Sequence, residues 1–379
     1  MEEKYRIKKE KFMVRMGVVG TGFHIGIAKM HISAYLRMPN VSVVALYDVD
    51  KEKAEKYKTE FDLKDTEICD SYEQLLSLVD AVTICTPNAF HVELAFRALE
   101  QGKHVLCEKP LGTSAGECDK LVEKAEKSNL VCGVGLCYRF IPGYQLMKKI
   151  IEEGALGEIY YLRAEMGGNR IADPSVELEW RMREELSGAG SIADFGSHLL
   201  DLSDIMLSAD RGKITEIQAI ANTFITQRKD EITKEEKKVS NEDVGMILAK
   251  TEKGTLISLS TSRVGSKHTM EIVGAGGFLE FDGSHPEQLT VMLKDKNGGY
   301  SQPPEVIKVP LEMYQVDAYG PKQGFEVNFY LQNKAFVEAI TGQKMMVAPI
   351  RRGQYIQSLI DAAKLSAQTG QKIRMEEIV

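Results

Sequence analysis

Short apolar runs alternate with amphipathic helical stretches from Met13 to about Leu136, and that rhythm leaves few folds open. It predicts strands at Val14–Val19, Val41–Tyr47, Ala81–Cys85, His104–Cys107 and Leu130–Val134, with helices such as Val92–Glu100 and Glu117–Ser128 between them. Ser114-x-x-Glu117 has capping-box spacing and marks one helix start. Strands that each wait for a helix before the next one predict a parallel, doubly wound sheet. Such sheets bind ligands outside the carboxyl ends of their strands. The residues that directly follow each strand are therefore the place to look for chemistry.

After Phe140 the pattern changes. A helix over Gln145–Glu153 and a strand over Glu158–Glu165 lead to a Gly-rich turn and helix at Gly188–Leu207. Period-two strands follow at Ile214–Ile225, Val244–Lys250, Thr255–Ser260, Thr269–Val273 and Phe278–Phe281, joined by turns at Glu252-Lys253-Gly254 and Ala275-Gly276-Gly277. That is an α+β domain on a mainly antiparallel sheet. Arg228–Lys238, dense in both charge signs, reads as a solvated loop, and helices near Phe325–Ile340 and Gln354–Gln368 close the chain. At 379 residues two domains are expected: a charged extension over 1–12, an α/β dinucleotide-binding domain over 13–138, and a substrate-binding and oligomerisation domain over 139–379.

Composition excludes several classes. A net charge of −7 leaves no basic excess for a general nucleic-acid binder. The mostly charged start lacks the apolar core of a signal peptide, and no apolar run approaches the ~20 residues needed to span a bilayer. The six cysteines form no CxxC pair, so neither a zinc site nor a disulfide framework is expected. Reduced thiols in a cytoplasmic protein is the expectation, with no metal.

The turn Gly20-Thr21-Gly22-Phe23-His24 after the first strand suits a pyrophosphate resting on the next helix's amino end. The strict GxGxxG spacing fails, since the next glycine is Gly26. Asp48, at the tip of the second strand, supports the assignment, because a carboxylate there accepts ribose hydroxyls and repels a 2′-phosphate. NAD is expected in preference to NADP. Thr86-Pro87-Asn88 borders the same edge, with Asn88 placed to cap the helix carrying His91, itself read as structural. Glu108-Lys109-Pro110 puts an amine at the carboxyl end of a buried strand, where a low dielectric can fit it for proton transfer.

A second constellation runs from Gly188 to Asp201. At 100° per residue, His198 lies about 40° from Asp194, and Asp201 about 20° to the other side, so all three share one helix stripe. Two readings stand beside each other: a catalytic stripe, or a Ser191-x-x-Asp194 capping box with an ordinary i,i+4 pair.

Gly20-Thr21-Gly22, Asp48, Thr86-Pro87-Asn88, Glu108-Lys109-Pro110, Trp180-Arg181 and Gly188…Asp194…His198…Asp201, taken together, resemble the glucose–fructose oxidoreductase / inositol dehydrogenase family (Gfo/Idh/MocA). The resemblance implies a Rossmann domain followed by an open-faced sheet domain, with NAD(P) and a polyol, sugar or sugar derivative between them. It implies hydride transfer at a ring carbinol, with Lys109, Asp194 and His198 as the catalytic group. His198 would be the general base, Asp194 would orient its ring, and Lys109 would hydrogen-bond the reacting oxygen. Trp180-Arg181 would border the cleft as cofactor contacts, together with Thr86-Pro87-Asn88, His91, Glu108 and Lys109, and Arg139 would border it as a substrate contact beside Lys109, Asp194 and His198. Ala189, where the family has a glycine, and the long Gly22–His31 turn depart from the pattern. A non-catalytic NAD-bound regulator and an NAD-dependent glycoside-cleaving relative are the alternatives, and a homo-dimer or homo-tetramer is expected.

Overall fold

The computed structural model describes residues 13–22, 26–295, 297–300, 303–314, 318–321 and 324–378. Phe23, His24 and the charged extension lie outside them. The amino-terminal part comprises β1 (Val14–Val19), α1 (Ile27–Leu36), β2 (Val41–Tyr47), α2 (Lys51–Glu60), β3 (Glu67–Ile68), α3 (Tyr72–Leu78), β4 (Ala81–Ile84), α4 (His91–Glu100), β5 (His104–Glu108), α5 (Ala115–Glu126) and β6 (Cys132–Gly135). Its six strands lie in the order β3-β2-β1-β4-β5-β6, all parallel. β4 buries every residue, as a strand covered on both faces must. The strand order reverses between β1 and β4, which opens a crevice at their carboxyl ends. Gly20 enters it with φ 85°, and a Cβ there would lie 2.7 Å from the Cys85 carbonyl carbon, so only glycine allows the two strand exits to meet.

The second part begins with α6 (Pro142–Glu152), β7 (Ile159–Gly167), α7 (Glu184–Ser187), α8 (Ser191–Asp194) and α9 (Gly196–Arg211). It continues through β8 (Ile214–Asn222), β9 (Gln227–Lys229), β10 (Glu236–Lys238), β11 (Val244–Thr251), β12 (Leu256–Ser262), β13 (His268–Gly274), β14 (Gly277–Asp282), β15 (Gln288–Leu293) and β16 (Glu305–Lys308). α10 (Glu326–Ile340), α11 (Ile350–Thr369) and β17 (Ile373–Arg374) end it. Nine strands form one sheet, β16-β15-β14-β13-β7-β12-β11-β8-β17, antiparallel except where β7 lies beside β12. Leu162, Ile217, Ile247, Ile257 and Leu259 point to one face and pack with Met147, Leu200, Met206 and Leu359 from α6, α9 and α11. Among the described residues no helix covers the opposite face, where Ile220, Met246, Leu248 and Leu256 are exposed.

Two expectations change. Arg228–Lys238 is a β9–β10 ribbon, and Arg228 is 2% exposed. Its guanidinium donates to the carbonyls of Ile171, Asp173 and Val176, so the charge ties down the loop after β7 rather than facing water. The predicted single helix over Gly188–Leu207 is broken at Phe195 into α8 and α9. Tyr330, Phe336 and Val337 of α10 join the core beneath α1 and α2. The chain returns to the first domain because α1 needs that apolar cover.

Candidate active site

A cavity of about 330 Å³ lies between the two sheets, with Thr86, Glu108 and Lys109 on one wall and Asp194, His198 and Arg263 on the other. Lys109 directly follows β5, and its Nζ crosses the cleft to donate to the backbone carbonyl of Asp194 at 2.8 Å and to Oδ1 at 3.0 Å. Asp194 occupies the last position of α8, where the helix break turns its carboxylate toward the cavity. It caps nothing: the amino end of α8 is Gly190, without a side-chain cap. A Cβ at Gly190 would lie 1.9 Å from the Glu242 carbonyl oxygen, so glycine is required there. Ala189, the departure from the family pattern, is simply buried in the second core.

Burial by itself would raise the Asp194 carboxyl, but Lys109, Arg263 and Arg181 outweigh it and hold the group well below the usual carboxylate range. His198 is buried, and burial together with the Lys109 charge keeps its imidazole well below its ordinary value. Its ring lies 4.2 Å from the Tyr138 ring, and its Nδ1 is buried without a hydrogen-bond partner among the described residues. Asp194 therefore does not orient the imidazole by a hydrogen bond, contrary to expectation; the carboxylate is taken by Lys109, and favours a His198 cation only through its charge.

The cofactor wall fits a dinucleotide. Helix α1 starts after Gly26 (φ 65°) with no side-chain cap and no acidic residue in its first turn, leaving its amino end open to a phosphate. Asp48 accepts from Thr21 Oγ1 at 3.4 Å and from the Asp50 N–H at 2.9 Å, which fixes a half-buried carboxylate at the tip of β2. Thr86 Oγ1 is buried with no partner among the described residues.

The remaining predicted residues divide. Asn88, His91, Trp180 and Arg181 all line the cavity. Asn88 does not cap α4; its side chain donates to the Ser187 carbonyl across the cleft at 2.9 Å. His91 bridges the carbonyls of Pro110 and Thr86, at 2.8 Å each, and so joins the two loops structurally. Arg139 lies away from the cavity: its Nε donates to Asp201 at 3.0 Å, and Asp201 also receives Arg352. Asp201 is thereby removed from the catalytic stripe. Sequence reasoning missed Arg263, which directly follows β12; β7 and β12 run parallel and both aim their carboxyl ends at the cleft. It missed Tyr138 and Phe329 as cavity walls. It also missed His31, which holds Glu108 at 2.9 Å and meets Asn333 of α10 at 3.0 Å. Among the described residues no group of three or more His, Cys, Asp or Glu is placed to hold a metal, and no helix is long and apolar enough to cross a membrane.

The chain is similar to several known proteins. Levoglucosan dehydrogenase of Pseudarthrobacter phenanthrenivorans is 31% identical over 57% of this chain, and the match spans 55% of that relative's length. Glucose-6-phosphate 3-dehydrogenase of Bacillus subtilis is 29% identical over 66% of this chain and 68% of its own. A solved levoglucosan dehydrogenase in complex with NADH superposes with a TM-score of 0.85 at 24% identity, covering 96% of this chain and 99% of the other, which speaks for the fold. Residues 14–136 match the oxidoreductase family described as an NAD-binding Rossmann fold, and residues 144–280 match the C-terminal domain of the same family. The two matches follow in order and take in more than half of the sequence, so the chain belongs to the GFO/IDH/MocA oxidoreductases.

Proposed function

We propose that the protein is a cytoplasmic dehydrogenase that uses NAD in preference to NADP and oxidises a secondary hydroxyl of a cyclic polyol, sugar or sugar derivative. The observation that carries this reading is the Lys109–Asp194 contact across the cleft, beside His198 and at the carboxyl edge of the dinucleotide-binding sheet. The names of the relatives, which act on levoglucosan and glucose 6-phosphate, point the same way. The six buried free cysteines suit a reducing compartment.

Bound NAD would accept the hydride, with both electrons of the carbinol C–H bond, at C4 of its ring. His198, kept neutral by burial, takes the hydroxyl proton; its partnerless Nδ1 is buried, which leaves Nε2 for the substrate. Lys109 spends two of its three N–H groups on Asp194 and keeps one for the oxygen as it becomes a carbonyl. Asp194 holds that ammonium in place.

An NAD-reduction screen across inositols, aldoses and anhydrosugars tests the reading, and no NADH from any of them would sink it. His198→Ala should retain NADH affinity and lose about 10²–10⁴-fold in turnover. Near-wild-type turnover in a well-folded His198→Ala protein would end the general-base role. Asp48 beside a 2′-phosphate should cost NADP at least ~1.4 kcal/mol, or tenfold in affinity, relative to NAD. Calorimetry giving equal affinities would remove that preference.

A further inference from the structure

Resting on that reading, we infer that Tyr138 is the positioning residue of the general base: its ring, wedged between His268 and Phe325, holds the plane of the His198 imidazole. A histidine base is ordinarily aimed by a hydrogen bond at its second ring nitrogen, from a carboxylate or a carbonyl. Among the described residues His198 has no such bond. Its Nδ1 is buried without a partner, and the Asp194 carboxylate is engaged by Lys109. Helix α9 fixes where the side chain starts, yet rotation about the bond to an imidazole is soft. Packing has to supply the restraint.

Tyr138 is in place to do so. Its ring centroid lies 4.2 Å from that of His198, with the planes 41° apart. That is closer than the about 4.5–7 Å usual between aromatic side chains, so the two rings are in contact. Tyr138 is itself held on two sides. His268 meets its ring at 5.3 Å and 68°, and Phe325 at 5.5 Å and 62°, both edge to face. Phe325 in turn packs edge-on against Phe329, its neighbour along the α10 wall of the cavity. His268, the first residue of β13, is bound through Nε2 to the Tyr144 hydroxyl at 2.8 Å and packs edge-on against Phe281. There is no slack behind them: a Cβ at Gly283 would lie 2.4 Å from His268 Nδ1, and one at Gly143 would lie 2.6 Å from the Phe281 ring.

The backbones that carry the two rings are tied as well. Tyr138 stands on the short turn Cys137–Phe140 after β6, and the next residue, Arg139, grips Asp201 one turn along α9 from His198. The turn therefore cannot slide against the helix that bears the base. Tyr138 is only partly buried and lines the cavity, so it is placed at the site and not in the centre of the core. Burial pushes its phenol up, which keeps it neutral and leaves His198 without a competing base. With the plane held, Nδ1 stays enclosed and Nε2 is left for the substrate hydroxyl.

The test replaces Tyr138 with Leu and with Phe, using whichever inositol, aldose or anhydrosugar reduces NAD fastest with the wild-type protein. Tyr138→Leu should lower kcat about tenfold to a hundredfold through a misaimed base, while KM and NADH affinity stay within about threefold. Tyr138→Phe keeps the ring contact and should bring kcat back to within about threefold of the wild type. Carbon relaxation of the His198 ring in the NADH-loaded protein, assigned by its absence from His198→Ala, should report a rigid imidazole in the wild type and in Tyr138→Phe, and a mobile one in Tyr138→Leu. An unchanged kcat in well-folded Tyr138→Leu overturns the inference, as does a rigid imidazole in that variant. A rise in KM alone would make Tyr138 a substrate wall, and a Phe variant as slow as the Leu variant would assign the effect to the hydroxyl. Either result overturns the positioning role and leaves the dehydrogenase reading standing. Tyr138→Met replaces the Leu variant if circular dichroism shows that one unfolded. Absence of NADH formation from every compound would count against the dehydrogenase reading instead, and ring relaxation would still decide the positioning role.

Discussion

Lys109 sets the working range of His198. The two face one cavity, and both burial and the lysine charge favour neutral imidazole, while Asp194 opposes them. The sign follows directly. A depressed pKa keeps the ring unprotonated, and so able to act as a base, to pH values below its ordinary 6.5. The acidic limb of kcat/KM against pH should therefore fall well below pH 6.5. Lys109→Met removes a repelling cation and frees the Asp194 carboxylate, and both changes raise the His198 pKa. The residual activity of that variant should show its acidic limb at higher pH than the wild type. A limb that stays in place would mean that the ionisation belongs to another group. Lys109, Asp194 and His198 were legible because each is bound to a local pattern: a strand end, or a helix turn. Arg263 was not, because nothing next to it in sequence marks Asp194, 69 positions earlier, as its neighbour.

At the scale of elements, helical periodicity predicted the stripe of Asp194, His198 and Asp201 but not its division of labour. Seven residues along a helix is a rise of about 10 Å, so Asp201 shares the stripe at a different height. There it meets Arg139 and Arg352, which come from 62 and 151 residues away in sequence. The strands legible in full, β1 and β2, carry their own apolar runs. The ones missed, β3, β9, β10, β15, β16 and β17, are six residues or fewer and owe their form to a neighbouring strand. The Arg139–Asp201 pair yields a test that separates packing from catalysis. Breaking a buried pair costs about 3–5 kcal/mol, and the retained Arg352 contact should bring Arg139→Met to roughly 2–3 kcal/mol. Chemical denaturation should register that loss, while substrate KM in the folded fraction stays near wild type. A raised KM with unchanged stability would return Arg139 to the cleft.

At the scale of the whole molecule, one sheet face is left uncovered by any helix among the described residues. On the outer side of the nine-stranded sheet, Ile220 is 67% exposed, Met246 53%, Leu248 58% and Leu256 58%. They are neighbours by register: Met246 stands opposite Ile220, and Leu256 opposite Tyr161, which is also exposed. Alternation explains the arrangement, since the intervening residues Ile247 and Ile257 are in the core beneath. A solvated sheet face ordinarily carries polar residues at these positions, and a contiguous apolar stripe on β7, β12, β11 and β8 calls for a partner surface. A second copy of the chain offers the same stripe, and two-fold pairing of identical sheets is the commonest closed solution. We therefore expect at least a dimer by light scattering at micromolar concentration. Leu248→Glu places a charge in the middle of the stripe, and on dimerisation it would meet its own copy or an apolar neighbour; it should shift the mass toward the monomer. The substitution lies on the face opposite the helices and the second core, so the isolated subunit should keep its secondary structure. A wild-type monomer would remove the idea, as would a Leu248→Glu protein of unchanged mass.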